Sequence, residues 1–134
     1  MDKLSPRETN RILDQAKRVL KIEAEAVSSL GPNLNREFVH AVQLILRCKG
    51  RVIVSAIGKS GHIGKKITST LASVGTPASF MHPSEAFHGD LGMITQKDVL
   101  LILSNSGESV VWLMGTALSP FGNFFVLFKK IRCT

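Results

Sequence analysis

The feature that most constrains this 134-residue chain is an apolar strand that runs directly into a polar turn flanked by glycines. Residues 52–57 are all apolar except one serine, and four of them are β-branched. Such a run is typical of a strand covered on both faces of a parallel sheet. The turn Gly58–Gly61 follows, and an apolar pattern of helical period begins at once. The sequence therefore predicts a strand, a turn and a helix start, the unit that binds phosphate in parallel α/β folds.

Two amphipathic helices precede this unit. The first is predicted to begin after Ser5 or Thr9, which suit an N-cap, and to end near Leu30, before a Gly-Pro pair. Its apolar residues form one stripe and its other face is charged, so it is either a helix solvated on one side or an arm that binds another copy. A second helix is predicted from Asn35 to about Cys48, with its apolar residues facing inward.

After the turn, the sequence alternates between helical and strand patterns. The third helix is predicted to end near residue 75, before a short strand over Ala78–Met81 and a polar loop or broken helix over residues 82–96. A further continuous apolar strand covers Val99–Leu103. This order and spacing predict right-handed parallel crossovers, so the expected fold class is α/β with a parallel sheet.

Two of the predicted strands end in turns rich in serine and glycine. The first turn is Gly58–Gly61, which contains Lys59, and the second is Ser104–Ser109. Because the carboxyl ends of parallel strands meet at one edge, we expect the two turns to lie together. Serine hydroxyls, helix N-termini and an ammonium group favour an anion, so we expect a phosphate or sugar phosphate there. If only one strand ended in such a turn, the general preference of turns for serine and glycine would explain these residues without a ligand. Neither a Walker A loop nor a G-x-G-x-x-G pattern is present.

A second polar cluster lies within residues 82–90. It contains His82 and His88, six residues apart, with Glu85 and Asp90 close in sequence. Such residues can ligate a metal, transfer a proton or do neither, and their spacing does not decide between these alternatives.

Charge and cysteine content exclude several classes of function. The formal net charge is +7, but no basic stripe is interleaved with aromatic residues, so nucleic acid is not favoured as a partner. Cys48 and Cys133 have neither metal-ligand spacing nor a disulfide pattern, which suits a reducing cytoplasm. The N-terminus is charged rather than apolar, so we expect no secretory signal and a cytoplasmic location.

The last 25 residues differ in character from the rest. Val110–Phe128 carries no charge and is followed by basic residues, which is compatible with a membrane span. Gly115, Pro120 and Gly122 interrupt this segment. Two alternatives to a span are therefore a buried helix followed by a strand over Phe124–Phe128, and a tail that packs poorly; of the three we least expect the span.

Several motifs considered together identify a family. They are Gly58–Gly61 with Gly64, Ser73–Pro77, His82–Pro83, Glu85–Ala86, His88–Met93 and Ser104–Ser109. Together they resemble arabinose-5-phosphate isomerase, an enzyme with a sugar isomerase (SIS) domain, over roughly residues 10–109. The last turn alone is typical of the wider superfamily that binds sugar phosphates, whereas residues 88–93 are typical of the isomerase group.

The resemblance implies a fold and an activity. The fold would be a flavodoxin-like three-layer αβα sandwich around a five-stranded parallel sheet, usually assembled as a tetramer. The reaction would interconvert D-arabinose 5-phosphate and D-ribulose 5-phosphate, on the route to the Kdo sugar of lipopolysaccharide, with no required cofactor. On this basis we expect residues 1–34 to be an N-terminal helical arm, residues 35–109 a partial SIS domain and residues 110–134 an atypical tail.

The resemblance also implies roles for individual residues. Lys59 and His88 would be catalytic. The chemistry of isomerisation suits Lys59 as partner of an oxyanion and His88 for opening the sugar ring or for contacting a hydroxyl. His82 would contact substrate and could take an inhibitory zinc ion. The implied substrate-binding residues are Ser60, Gly75, Thr76, His82, His88, Ser104, Ser106 and Ser109.

The sequence departs from the family pattern just after the second turn. The family has a functional glutamate two residues after the position of Ser109, where this chain has Val110 and Val111. The family's later glutamate, catalytic histidine, last strands and CBS domains do not follow. We therefore expect a shortened and impaired isomerase, as a frameshift or truncation would produce. The alternative is a non-catalytic module that binds sugar phosphate.

Overall fold

The computed structural model describes residues 4–104 and the strand at residues 123–128. The chain divides into two compact units, Met1–Val39 and His40–Thr134. Two helices, α1 and α2, precede a parallel sheet whose strands are joined by further helices. In chain order the elements are α1 (Pro6–Ser28), α2 (Arg36–Leu46), β1 (Val52–Ala56), α3 (Gly58–Ser73), β2 (Ala78–Met81), α4 (Pro83–Phe87), β3 (Val99–Ser104) and β4 (Asn123–Phe128).

The start of α1 is fixed by a capping box. The Ser5 hydroxyl oxygen accepts a hydrogen bond from the Glu8 backbone N–H at 3.3 Å, and the Ser5 backbone N–H donates to the Glu8 carboxylate at 2.9 Å. These two bonds satisfy donors that a helix end otherwise leaves unpaired. The sequence prediction of this helix and of its N-cap at Ser5 is thereby confirmed.

Most apolar residues of α1 and α2 are exposed. Neither helix has a buried residue, and Phe38 and Leu46 of α2 are 50% and 79% exposed. The prediction that the apolar residues of α2 face inward is therefore wrong for most of them, including Phe38 and Leu46, whereas Ile45 is half-buried. Periodicity predicts which residues share a face, but it does not predict whether the same chain covers that face.

The four strands form one parallel sheet in the order β2-β1-β3-β4. Strand β1 lies between β2 and β3, with Val54 level with Phe80 on one side and with Leu101 on the other. All five residues of β1 are buried, as its continuous apolar sequence predicts. The α/β fold with parallel crossovers is thus confirmed, with four strands among the described residues where the resemblance implies five.

One face of the sheet is covered by α3, which packs closely because it carries a glycine at the contact. A Cβ atom added at Gly64 would lie only 2.9 Å from Phe80 Cε2 and 3.4 Å from Val54 Cγ1. The Lys65 ammonium lies over the Phe80 ring, 5.4 Å from its centre. The close approach of helix and sheet therefore depends on the absence of a side chain at residue 64.

The opposite face of the sheet is covered by the segment that contains α4. Its core is formed by side chains from all three neighbouring strands and from α4, with two residues of the segment after α4 packed against it. These residues are Ile53, Met81, Ala86, Leu100 and Ile102, with Leu91 and Ile94. The sheet is therefore covered on both sides, which confirms the predicted three-layer arrangement.

The C-terminal segment contributes the edge strand β4. Its residues pair with β3 in parallel, so that Leu101 lies level with Phe125. One of the alternatives for this segment places a strand at this point of the sequence. The remaining residues of the predicted tail, and with them the membrane-span alternative, lie outside the described residues. None of the described helices has the length and apolar character needed to cross a membrane.

A buried carboxylate joins the amino ends of β1 and β3. Asp98 is only 4% exposed, and its carboxylate accepts hydrogen bonds from the Arg51 backbone N–H at 2.6 Å and from the Thr95 backbone N–H at 2.8 Å. The Thr95 hydroxyl donates to it at 2.9 Å. Burial raises the pKa of Asp98, but the hydrogen bonds from Arg51 and Thr95 together outweigh that effect and hold the pKa below its ordinary value.

The lowered pKa of Asp98 predicts a pH-dependent contribution to stability. Ionised Asp98 stabilises the folded state fully above its unfolded pKa of about 3.9, and this contribution is lost as the pH falls through the lower folded pKa. At pH 7 we expect Asp98→Asn to lower the free energy of unfolding by about 1–3 kcal/mol, measured by urea denaturation. The difference from the wild type should shrink below about pH 4.

The matched control is Asp14→Asn, since Asp14 lies on α1 with its side chain 77% exposed. We expect this variant to unfold within about 0.5 kcal/mol of the wild type throughout the same pH range. A difference between Asp98→Asn and the wild type that stays constant from pH 7 to pH 3 would contradict the assigned role of the ionised carboxylate.

Candidate functional site

Three neighbouring strands of the sheet end side by side. In the parallel register Ala56 of β1 pairs with Leu103 of β3, and Ser55 pairs with Met81 of β2. The residues that follow these strands therefore start at the same edge, with neighbouring strands about 4.8 Å apart. We call this the carboxyl edge. It is where open parallel sheets bind ligands.

The central part of the carboxyl edge is the turn from β1 into α3. Gly58 has a φ of +55°, a conformation that a side chain disfavours, and it lets the chain enter α3 directly from the strand. The α3 N-cap, Ile57, makes no side-chain cap hydrogen bond, and the helix carries no acidic residue in its first turn. The first-turn N–H groups and the positive end of the helix dipole therefore lie at this edge.

Two predicted site residues lie in this first turn of α3. Lys59 is exposed and Ser60 is half-buried. An exposed lysine on a flexible stem can place its ammonium over a bound anion without a fixed contact in the free protein. The predicted site at Gly58–Gly61 therefore has a cation, a hydroxyl and a helix N-terminus within four residues.

The second predicted turn begins at the end of β3. Ser104 is the last residue of β3 and directly follows Leu103, which pairs with Ala56, the last residue of β1. It is half-buried. The structure therefore brings the start of the serine-rich turn beside the start of α3, as expected from the sequence. Ser106 and Ser109 lie outside the described residues.

His82 lies at the third strand end of the carboxyl edge. It follows Met81 directly and is the N-cap of α4. Its ring nitrogen Nδ1 lies 2.6 Å from the Ser84 hydroxyl oxygen and accepts a hydrogen bond from the Ser84 backbone N–H at 3.3 Å. The ring is therefore held in place by the start of α4, at the same edge as Lys59.

His88 lies at the other end of α4. It is the C-cap of this five-residue helix and is exposed. The helix is roughly 8 Å long at 1.5 Å per residue, so α4 separates His88 from His82 by about that length. The structure thus places His88 near the carboxyl edge, on the segment that covers one face of the sheet.

Gly75 and Thr76 do not lie at the carboxyl edge. They precede β2, and the Pro77 carbonyl oxygen accepts a hydrogen bond from the Val52 N–H at the start of β1. Helix α3 has by then crossed the whole sheet, so these residues lie at the amino edge, about 16 Å from the carboxyl edge along five residues of β1. Within one chain the structure does not bring Gly75 and Thr76 together with Lys59.

The described residues do not form a site with several metal ligands. Among them, no group of three or more His, Cys, Asp or Glu side chains lies close enough to hold a metal ion. The ring nitrogen Nδ1 of His82 already accepts a hydrogen bond from Ser84. Among the described residues, His82 therefore has no grouped partners for the zinc ion that the resemblance implies, and zinc binding at His82 stays a prediction.

Sequence reasoning missed two polar residues close to the site. Ser55 is fully buried inside β1, in a run that the sequence presents as apolar. Ser84 lies in the predicted polar segment over residues 82–96 and is not singled out there, although it is the residue that holds the His82 ring. The signal for Ser84 is the order His-Pro-Ser before a helical segment: Pro83 at the first helical position has no N–H, so Ser84 supplies the first one.

Comparison with known proteins identifies the family. The model of the SIS domain matches residues 45–113, and the chain belongs to this family. It is similar to arabinose 5-phosphate isomerase GutQ of Escherichia coli K12, with 55% identity over 96 residues that cover 72% of this chain and 30% of GutQ. Arabinose 5-phosphate isomerase KdsD of Yersinia pestis is 57% identical over 93 residues, which cover 69% of this chain and 28% of KdsD.

A solved structure agrees with this family assignment. The Escherichia coli CFT073 protein c3406, solved in complex with arabinose 5-phosphate, matches 98% of this chain and 69% of its own chain, with a TM-score of 0.82 and 31% identity. The resemblance to arabinose-5-phosphate isomerase is confirmed over the aligned part. The chain spans about 30% of the length of the curated relatives GutQ and KdsD.

Proposed function

We propose that this chain binds a pentose 5-phosphate at the carboxyl edge and takes part in the interconversion of D-arabinose 5-phosphate and D-ribulose 5-phosphate. The observation that carries the proposal is the meeting of three strand ends, which bring Lys59, Ser104 and His82 to one edge. The 55% identity with GutQ, an arabinose 5-phosphate isomerase, supports the choice of substrate.

The phosphate group is held by the turns. The first-turn N–H groups of α3 and the hydroxyls of Ser60 and Ser104 supply donors, to which we add Ser106 and Ser109 from the sequence pattern. N–H groups at a helix N-terminus suit a phosphate because they have no partner within the helix and lie at the positive end of the helix dipole. A phosphate anchored there holds the sugar carbons in register with the side chains around them.

The proposed chemistry uses side chains at the rim of the same edge. Isomerisation moves a proton between adjacent carbons through an enediol, so it needs a base and a group that stabilises the developing oxyanion. Lys59 is the proposed oxyanion partner, and His88 acts on ring opening of the aldose. His82 contacts a sugar oxygen. The reaction needs no outside oxidant or reductant, so we propose that no cofactor takes part.

We leave Gly75 and Thr76 out of this proposed site, since within one chain they lie at the opposite edge of the sheet. The three-part division of the chain at residues 34 and 109 and the cytoplasmic location stay predictions.

The first prediction concerns binding. Adding arabinose 5-phosphate should raise the melting temperature of the chain, because ligand bound only to the folded state stabilises it. Lys59→Ala should weaken this binding by about tenfold, as expected for loss of a hydrogen bond from a charged group. Calorimetric titration of both proteins measures the ratio.

The matched control for this experiment is Lys66→Ala. Lys66 lies on the same helix, is also exposed and carries the same charge, but lies two turns from the α3 N-terminus. We expect it to bind arabinose 5-phosphate within about twofold of the wild type. Equal weakening by both variants would show a general charge effect, and no melting shift in the wild type would contradict the proposed site.

A second candidate function is binding without catalysis. It is favoured by Val110 and Val111, which stand where the family has a functional glutamate. A valine has no group that can accept or donate a proton. The chain would then act as a sugar phosphate-binding module.

Turnover separates the two candidates. Loss of one general acid or base costs roughly 10²–10⁴-fold, so we expect this chain to convert arabinose 5-phosphate at least about 10²-fold more slowly than GutQ assayed beside it. Val111→Glu should raise the rate if the missing carboxylate is the cause. Wild-type turnover equal to that of GutQ would contradict the expected impairment, and binding without any measurable turnover would favour the module.

We also propose that the chain forms a homo-oligomer. The support is the exposed apolar stripe of α1, in which Leu13, Leu20 and Val27 recur every seven residues and are at least half exposed. The helix is about 35 Å long, and its stripe loses contact with water only against another apolar surface. The same helix from a second copy offers such a surface, as in helix pairs with heptad spacing.

A charge in the stripe should therefore break the assembly. We expect Leu20→Asp to shift the chain to a smaller species in light scattering after size-exclusion chromatography, because an unpaired charge in an apolar contact is costly. Gln15→Asp is the matched control, since it adds the same charge on the polar side of α1. A wild-type monomer, or equal dissociation of both variants, would contradict the proposal.

A further inference from the structure

We propose that Ser84 is a positioning residue that fixes the tautomer of His82, so that His82 presents an Nε2–H donor to a bound sugar and is a poor zinc ligand. This inference rests on the proposed function for the identity of the ligand. It rests on the local geometry alone for the state of the ring. The two parts can be tested separately.

The first step concerns the direction of the hydrogen bond at Nδ1. The Ser84 backbone N–H lies 3.3 Å from Nδ1 of His82. A backbone N–H can only donate, so Nδ1 must be the acceptor. A neutral imidazole carries one proton, and that proton is therefore on Nε2.

The second step concerns the Ser84 hydroxyl, whose oxygen lies 2.6 Å from the same nitrogen. If Nδ1 carried a proton, it could donate to this oxygen, but it would then face the backbone N–H of Ser84 with like polarity. With Nδ1 unprotonated, both donors of Ser84 point at one lone pair. The hydroxyl therefore favours the same tautomer as the backbone N–H.

The third step explains why the sequence places these groups together. His82 is the N-cap of α4 and has extended backbone angles, with φ of −76° and ψ of 134°. Pro83 has no N–H, so the first unpaired N–H of α4 belongs to Ser84 and pairs with the side chain of the N-cap. The α4 backbone continues normally, with the Ala86 N–H donating to the His82 carbonyl oxygen at 3.0 Å.

The consequence for the sugar is a defined polarity. Held this way, His82 offers a hydrogen-bond donor to a hydroxyl or an anionic oxygen of the substrate, and Nε2 has no lone pair with which to remove a proton. His82 is thus suited to binding and to stabilising negative charge rather than to acting as a base. A hydrogen-bond donor at His82 is consistent with its position at the same edge as the Lys59 ammonium group.

The consequence for zinc is the opposite. A zinc ion binds the lone pair of an imidazole nitrogen, usually while the other nitrogen donates its proton to an acceptor. Ligation at Nε2 would move the proton to Nδ1 and break the bond from the Ser84 N–H, whereas ligation at Nδ1 would displace Ser84. Zinc must therefore compete with the α4 cap, and no second and third ligand are grouped among the described residues.

The test measures the tautomer directly. Long-range proton–nitrogen correlation spectra distinguish a ring nitrogen that carries a proton from one that does not. The spectra are recorded on the ¹⁵N-histidine-labelled chain without ligand, at a pH above which the ring shifts no longer change. The chain has four histidines, and His82→Gln identifies the signals of His82. We expect Nδ1 of His82 to be unprotonated in the wild type. A protonated Nδ1 would overturn the inference without any variant.

Two variants isolate the hydroxyl. Ser84→Ala keeps the backbone N–H but removes the O–H donor, and should raise the population of the other tautomer about three- to tenfold. Ser84→Thr keeps a hydroxyl and should restore the wild-type spectrum. Zinc added alone should bind Ser84→Ala about three- to tenfold more tightly than the wild type. This gain should disappear when His82→Gln is combined with Ser84→Ala. It should persist when the control His40→Gln is combined with Ser84→Ala. An unchanged tautomer ratio and zinc affinity in Ser84→Ala would overturn the role of Ser84.

A final titration with arabinose 5-phosphate separates this inference from the proposed function. If the sugar accepts a hydrogen bond from Nε2, Ser84→Ala should bind it several-fold more weakly and Ser84→Thr like the wild type. Unchanged sugar affinity in Ser84→Ala, with the tautomer shifted, would overturn the donor role of His82. If neither the wild type nor any variant binds the sugar, but the tautomer of His82 changes in Ser84→Ala as expected, the proposed function fails and the role of Ser84 stands.

Discussion

The parallel pairing of β1 with a strand on each side is the constraint on which the rest of this structure depends. Strand β1 is hydrogen-bonded to β2 on one side and to β3 on the other, and both of its faces are buried. These contacts together fix its position. The register then sets where the three strands end relative to one another. A shift of either neighbour by one residue would turn buried side chains to the wrong face, so the alignment of the strand ends is protected by the cost of exposing the core.

This constraint separates the edge of the sheet at which we propose ligand binding from the edge at which buried hydrogen bonds stabilise the sheet. At the amino edge, Asp98 joins the starts of β1 and β3 through hydrogen bonds from Arg51 and Thr95. At the carboxyl edge the chain instead leaves donors and a cation near the surface, at the start of α3. Polar groups that are fully paired make a rigid joint, whereas groups that await a partner make a binding site. The fold assigns each kind to its own end of the same three strands.

The sequence predicts the sheet well because its strands are continuous apolar runs and its helices are bounded by Ser5, glycines and prolines. It predicts the proposed phosphate-binding edge for the same reason, since two polar turns follow two such strands. It fails where the outcome depends on what lies next to a surface: the apolar face of α2 is exposed although its period predicts burial. Within one chain Gly75 and Thr76 lie at the amino edge, because a motif does not record to which end of the sheet the crossover helix carries its residues; their contact with substrate stays a prediction. The tautomer of His82 depends on a contact with Ser84 that composition cannot reveal.

The attraction for an anion that we propose at the carboxyl edge has a local source in helix α3. Helix α3 carries Lys59, Lys65 and Lys66 and no acidic residue, and its positive end lies at the carboxyl edge. Lys65 is engaged with the Phe80 ring, so the charge nearest the helix N-terminus belongs to Lys59. The same helix that packs on the sheet through Gly64 therefore also supplies a positive field at the strand ends, where we propose that a sugar phosphate binds.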